Sequence, residues 1–202
     1  MITLHNLDQS RGHRIAWLLE ELGRPYDIVR YAREPGTLKA PPSLAAVHPL
    51  GKSPVIVDGD TTLAESGAIM SWLLARHGGE RLLRTTGDAG FDHYLFWFHF
   101  GEGSGTLPLT LLHVLAPLAP ASDGLTAAAL AQLHRALDLA EDRLTQSACF
   151  ADDAFSAADI MMSYPLIAAR DRGFLPGSAT KIAGFLDRME SRPAFQRAIE
   201  KE

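Results

Sequence analysis

A chain of 202 residues that is 47% hydrophobic and 21% charged has an ordinary globular composition, which excludes collagen-like, disordered and disulfide-stapled chains. Its formal charge is 19 − 24 = −5 with no basic block, so the electrostatic footprint of a nucleic-acid binder is missing. The single cysteine, Cys149, makes neither an internal disulfide nor a C-x-x-C pair; a reduced, cytoplasmic setting is expected, with no membrane span and no secretory leader in MITLHNLDQSRGHR.

Ile2–Leu7 reads as a strand. Residues 10–23 read as a helix with Ile15, Leu18, Leu19 and Leu22 on one face, stopped at Gly23. Tyr26–Tyr31 is a second strand, and a short helix over 40–47 opens on Pro41 and Pro42. A third strand covers 54–57, Asp58-Gly59-Asp60 turns the chain, and Thr61–Ala64 is a fourth strand. A helix over 65–77 ends at Gly78-Gly79. The strand–helix–strand start predicts parallel pairing through a right-handed crossover. The short link between the last two strands predicts an antiparallel hairpin.

Beyond residue 80 the strand signals vanish. The sequence divides into a domain over 1–78, a linker over 79–87 and an all-α domain over 88–202. A long aromatic-rich helical stretch starts at Asp88 and runs to about Pro117, with a break at Gly101–Gly105 and Pro108. Further helices are expected over 123–146, 156–172, 181–190 and 194–200. Charges split as 8 − 9 = −1 through residue 80 and 11 − 15 = −4 after it, so neither half is polarised.

Some motifs are excluded by spacing. HPLGKSP (48–54) contains Gly-Lys-Ser, but a phosphate-binding loop needs a glycine where Ala46 stands, and a helix rather than a strand after it. Gly101-x-Gly103-x-Gly105 lacks both the dinucleotide spacing and a preceding strand. The eight histidines form no H-x-x-x-H pair and have no cysteine partner, so no metal site is expected.

Other motifs leave two readings open. Ser53-Pro54 heads a strand, where proline is tolerated; a trans peptide is the commoner form, and a cis peptide would turn the Ser53 backbone toward an extended ligand. Glu65-Ser66 opens a helix directly after a strand. The pair suits simple capping, or an anion site in which the free N–H groups and dipole meet a carboxylate while Glu65 meets an ammonium. Ser156-Ala-Ala-Asp159 looks like a structural capping box with Asp in the place of Glu.

Three stretches carry a resemblance. HPLGKSPVIVDGDTTLAESGAIMSWLL (48–74) resembles the glutathione-binding core of glutathione S-transferases: a glycine and a polar residue, a residue before a cis-proline, a hairpin, and Glu-Ser opening a helix. SRGHRIAWLLEELGRPYDIVRY (10–31) is similar to the family's first helix and second strand, in the bacterial and fungal branch with SR-x-x-R-x-x-WLLEEL. FSAADIMMSYPL (155–166) is similar to its C-terminal capping-box helix. The resemblance implies an α/β thioredoxin-like N-terminal domain, an all-α C-terminal domain that forms the second-substrate site, a cis Pro54 and a cytoplasmic homodimer acting in detoxification.

It also implies a chemistry. A thiol of pKa ~8.5 is only roughly 3% thiolate at pH 7, so an enzyme gains by stabilising the thiolate of glutathione, its co-substrate, for attack on a small apolar electrophile. Ser10, the only hydroxyl where the first strand meets the first helix, is the expected thiolate donor; capping that helix is its competing role. The Ser53 backbone would pair with the cysteinyl part, Pro54 would set its direction, and Glu65 and Ser66 would hold the γ-glutamyl head. Lys52 would meet the glycyl carboxylate or be a solvated lysine. Phe98, His99, Glu102 and Thr106 are candidates for the second substrate, with core packing the competing role of Trp97 and Phe98 and the partner subunit's glutathione an alternative for Glu102. No tyrosine precedes Tyr26 and no cysteine lies in the first domain, so the tyrosine- and cysteine-type activators are absent. Relatives with the activating hydroxyl one position earlier would place it at Gln9, which leaves Arg11 or nearby backbone as an alternative. Glutathione-dependent peroxide or disulfide reduction, a non-catalytic protein of the same fold, and storage of apolar ligands are the other readings.

Overall fold

The computed structural model describes residues 1–35 and 39–201. It divides into two compact units, Met1–Leu82 with Glu190–Glu202, and Leu83–Met189.

In the first unit, strand β1 (Ile2–Leu7) leads into helix α1 (Gly12–Glu21), whose Ile15, Leu18 and Leu19 have no exposed surface. Strand β2 (Tyr26–Tyr31) returns parallel to β1, with Leu4 opposite Ile28. Helix α2 (Pro42–Val47) is followed by strands β3 (Val55–Asp58) and β4 (Thr61–Ala64) and by helix α3 (Ser66–His77). Strand β3 runs antiparallel to β1, with Leu4 opposite Ile56, and pairs with β4 as a hairpin, with Val55 opposite Ala64. The sheet order is β2-β1-β3-β4, the mixed sheet that a crossover followed by a hairpin requires. Gly59 at φ 57° and Gly78 at φ 83° make the hairpin turn and the left-handed end of α3, backbone positions open to glycine without a Cβ clash. Helix α1 starts at Gly12 rather than Ser10, because residues 10 and 11 form the turn that enters it; Ser10 Oγ accepts the Gly12 N–H at 3.1 Å.

The segment after Glu190 departs from the expected boundary. Helix α9 (Pro193–Lys201) belongs with the first unit and packs on α1. Phe195 meets Trp17 edge-on at 5.0 Å and His13 at 4.7 Å. Arg197 and Lys201 each reach Glu20 at 2.7 Å, and Arg192 reaches Glu21 at 2.7 Å. Two carboxylates in the last turn of α1 oppose its dipole, and the cations of α9, joined by Arg81 on Glu21 at 3.0 Å, offset that local cost. Burial raises the Glu21 carboxyl, but the hydrogen bonds from Arg192 and Arg81 outweigh it and hold the group below its ordinary range. At Glu20 the bonds from Lys201 and Arg197 outweigh burial in the same way.

The second unit is helical: α4 (Phe91–Glu102), α5 (Leu107–Leu115), α6 (Asp123–Gln146), α7 (Ala157–Asp171) and α8 (Thr180–Glu190). Helix α4 packs against α7 and α5 against α6. A Cβ at Gly101 would lie 2.8 Å from Met161 O, so the glycine permits the close approach of α4 and α7. The break after it is closed by Thr106, whose Oγ1 donates to Gly101 O at 2.6 Å. At the start of α7 the fully buried Asp159 accepts Ser156 N–H at 2.8 Å, Ser156 O–H at 2.9 Å and Phe150 N–H at 2.8 Å. Burial pushes its carboxyl up to about 6 against the pull of those donors. Among the described residues, no helix is long and apolar enough to cross a membrane.

Two outcomes are expected. Glu20 and Glu21 are depressed in the folded state, so the stability they contribute is present above pH 4.5 and lost as pH falls through their folded values; Glu21→Gln should flatten the decline of thermal midpoint with acid. Asp159→Ala removes a cap and leaves buried N–H groups unpaired, so urea unfolding should show a loss of about 3 kcal/mol.

Candidate functional site

The strand register gathers the polar residues of the first unit at one end of the sheet. His5 lies opposite Val55 and Val55 opposite Ala64. The exit of β1, the entry of β3 and the exit of β4 therefore lie side by side; Ser10 stands in the turn after β1, Ser53 precedes Pro54 at the head of β3, and Glu65 directly follows β4.

The Ser53-Pro54 peptide is cis. Ser53 Oγ accepts Leu7 N–H at 3.0 Å, lies 3.3 Å from His5 O, and is 3.0 Å from Ser10 Oγ. Ser10 Oγ in turn donates to Asn6 Oδ1 at 3.1 Å and accepts Gly12 N–H at 3.1 Å. The two serines form one hydrogen-bonded group that fastens the β1–α1 turn to the head of β3. His5 Nδ1 and Tyr31 OH lie 2.8 Å apart, and burial holds the His5 pKa below its ordinary value.

The β1–α1 turn carries a distorted residue, Gln9, at φ 53°. A left-handed backbone costs a non-glycine residue roughly 1–2 kcal/mol. Arg33 braces the turn, donating to Asp8 O at 2.9 Å and to Gln9 O at 3.2 Å. Glu65, at φ 71° and ψ 117°, is a second such residue. It stands immediately before α3, with no side-chain cap bond to that helix. Non-glycine residues persist at such angles where the surroundings over-determine them, and they cluster at ligand sites.

Ser66, the first residue of α3, is 3% exposed and accepts a hydrogen bond from Arg14 Nη2 at 3.2 Å. Arg14 is fully buried. Its guanidinium and the α3 N-terminus together favour negative charge beside Ser66.

The structure brings Ser10, Ser53 and Pro54 together and places Glu65 and Ser66 at the adjacent β4–α3 junction. Lys52 is exposed on the approach to Ser53. The four candidates in the second unit have different surroundings. Phe98 is 4% and Thr106 3% exposed, with Phe98 stacked on Tyr94 at 5.6 Å and Thr106 committed to Gly101 O. His99 is exposed and Glu102 half-buried.

Sequence reasoning missed Asn6, Gly12 and the side chain of Ser53, and it gave Arg14 no place in the site. A Cβ at Gly12 would fall 1.9 Å from Asn6 Oδ1, so this glycine makes room for the carboxamide that Ser10 meets. The available signals were an asparagine inside an apolar strand and Ser-x-Gly at a helix start.

These features define a thioredoxin-like domain with a polar site at one end of its sheet, joined to a helical domain. Residues 1–75 match the glutathione S-transferase N-terminal domain and residues 109–193 the corresponding C-terminal domain. Glutathione S-transferase 3 of Schizosaccharomyces pombe is 34% identical over 100% of this chain and 88% of its own. Glutathione S-transferase 1 of Saccharomyces cerevisiae is 29% identical over 100% of this chain and 95% of its own. Among solved structures, a glutathione S-transferase from Actinobacillus pleuropneumoniae superposes with a TM-score of 0.88 at 34% identity, covering 100% of this chain and 92% of that one. A Phanerochaete chrysosporium glutathione transferase in complex with oxidized glutathione shares the fold at a TM-score of 0.81 and 22% identity, over 99% and 95% of the two chains. The chain belongs to the glutathione S-transferase family.

Relief of the Gln9 backbone is testable in the thermal midpoint: Gln9→Gly should raise stability by up to ~1 kcal/mol, the left-handed cost less the extra chain entropy of glycine.

Proposed function

We propose that this transferase activates glutathione through the Ser10 hydroxyl, for attack of the thiolate on a small apolar electrophile. The observation that carries the reading is the position of Ser10 Oγ, 3.0 Å from Ser53 Oγ at the entry to β3 beside the cis Ser53-Pro54 peptide. An extended cysteinyl segment paired with the Ser53 backbone would bring its sulfur to this hydroxyl. A hydroxyl donating to a thiolate favours the ionised form, and each unit of thiol pKa corresponds to about 1.36 kcal/mol.

The rest of the tripeptide follows from charge. The γ-glutamyl carboxylate goes to the α3 N-terminus at Ser66, backed by Arg14, and its ammonium to the Glu65 carboxylate. Lys52 serves the glycyl carboxylate. With the thiolate held and oriented, the catalytic gain comes from positioning and electrostatic stabilisation. For the second substrate, His99 and Glu102 keep the accessible surface that Phe98 and Thr106 lack, so we assign polar contacts with the electrophile to the former pair. Exposed apolar side chains of the second unit, Phe96 at 48%, Leu107 at 52% and Val114 at 56%, support a homodimer. The single, buried cysteine supports a cytoplasmic setting and a role in detoxification in which the reactive thiol arrives with the co-substrate.

Ser10→Ala should lower kcat by about 10- to 100-fold, the loss of a hydrogen bond to a charged group, with glutathione binding kept within about twofold. Unchanged turnover at saturating glutathione removes Ser10 from this role, and absence of glutathione binding at millimolar concentration removes the reading as a whole.

A further inference from the structure

The Ser53 side chain has no part in the reading above, which uses only its backbone. Its hydrogen-bond accounting gives it one. A hydroxyl has one hydrogen and two lone pairs. Ser53 Oγ accepts Leu7 N–H, and its single hydrogen goes either to His5 O at 3.3 Å or to Ser10 Oγ at 3.0 Å. Ser10 Oγ accepts Gly12 N–H, and its single hydrogen goes to Asn6 Oδ1 at 3.1 Å, to Ser53 Oγ, or outward.

Between the two serines, two directions of donation are therefore available. In one, Ser10 donates to Ser53 and Ser53 to His5 O, so the Ser10 hydrogen is consumed inside the protein. In the other, Ser53 donates to Ser10. The lone pairs of Ser10 are then filled by Gly12 N–H and Ser53 O–H, and its only remaining capacity is to donate. The second direction gives up the longer bond to His5 O and, when Ser10 turns its hydrogen outward, the bond to Asn6 Oδ1 at 3.1 Å, and it keeps the shorter bond between the serines. An anionic acceptor near Ser10 selects it, because hydrogen bonds to an ion are about twice as strong as neutral ones. Two donors into the same oxygen also polarise its O–H bond and strengthen its outward donation.

We propose that the Ser53 hydroxyl is a positioning residue that donates to Ser10 Oγ, holds Ser10 as an outward donor and thereby increases the acidity of the thiol of bound glutathione. The inference rests on the reading of Ser10 as the thiolate donor and deepens it. The thiol proton passes to solvent, and both serines keep their own hydrogens throughout.

The test is the pH titration of the thiolate ultraviolet absorbance of glutathione bound to the full-length protein. Ser53→Thr and Ser53→Val match in shape and differ in the hydroxyl, which also accepts the Leu7 N–H; the Ser10→Ala background separates loss of that anchor from loss of the donor to Ser10. The expected result is a thiol pKa near the unsubstituted value for Ser53→Thr and ~0.5 unit higher for Ser53→Val. Ser10→Ala should give a larger upward shift, and adding Ser53→Val to Ser10→Ala should give no further one. Equal pKa values for the threonine and valine variants, alongside a shift in Ser10→Ala, overturn the role of Ser53 and leave Ser10 in place. The same valine shift without Ser10 also overturns it. No shift in Ser10→Ala removes the reading on which the inference rests.

Discussion

Strand β3 runs antiparallel to β1, with Leu4 opposite Ile56, and both the first unit and its site depend on that pairing. It joins the β1-α1-β2 crossover to the β3-β4 hairpin and α3, two pieces that each have an apolar side to bury. The same register carries Ser53 up to the exit of β1. There the Leu7 N–H has moved past the last rung of the β3 ladder, and the Ser53 hydroxyl takes it in place of a strand partner. An unpaired buried N–H would cost about 1–3 kcal/mol. A requirement of the sheet thus places one hydroxyl at the site, and the turn into α1 places the second against it.

Buried polar groups tie the helices to this framework. Arg14 is enclosed in the core and reaches Ser66 across from α1 to α3, so the N-terminus of α3 is held by a cation on a neighbouring helix. The other end of α1 carries Glu20 and Glu21, a poor choice for an isolated helix, and α9 supplies the arginines and lysine that pair with them. Lys201 also lies over the Tyr26 ring at 4.3 Å. Removal of one partner from a pair of this kind costs more than the pair contributes net, because the other charge is left behind. The C-terminal helix is therefore an integral part of the first unit. Among the described residues, the non-glycine residues at positive φ are Gln9 and Glu65, each at a junction between a strand and a helix.

Much of this is legible in the sequence. Periodicity located each strand and most helices to within a few residues, and the turn chemistry of Asp58-Gly59-Asp60 and Gly78 marked where they stop. Ser53 and Ser66 stand out in the sequence by their places at element ends and Asp159 by its spacing from Ser156, while Ser10 enters as a candidate only through the family resemblance. The cis form of the Ser53-Pro54 peptide was legible only through the family resemblance, because base rates for an isolated Ser-Pro favour trans. For Phe98 the sequence leaves a cleft and a core open and the packing in the structure decides for the core, whereas the burial of Thr106 is not legible, because its partner Gly101 O is presented only by the break between α4 and α5.

The sequence by itself determined the elements, the β-α-β then hairpin order and the change of character near residue 80, because these follow from local propensity and from side-chain spacing along one segment. The tertiary structure alone decided that α9 joins the first unit, that Gly12 leaves room for Asn6, that Arg14 faces Ser66 and that two serines 43 positions apart share a hydrogen bond. Each of these is a meeting of distant segments. An amphipathic face or a lone hydroxyl states what kind of partner it needs, and only the register of the sheet and the packing of the helices supply which partner it meets.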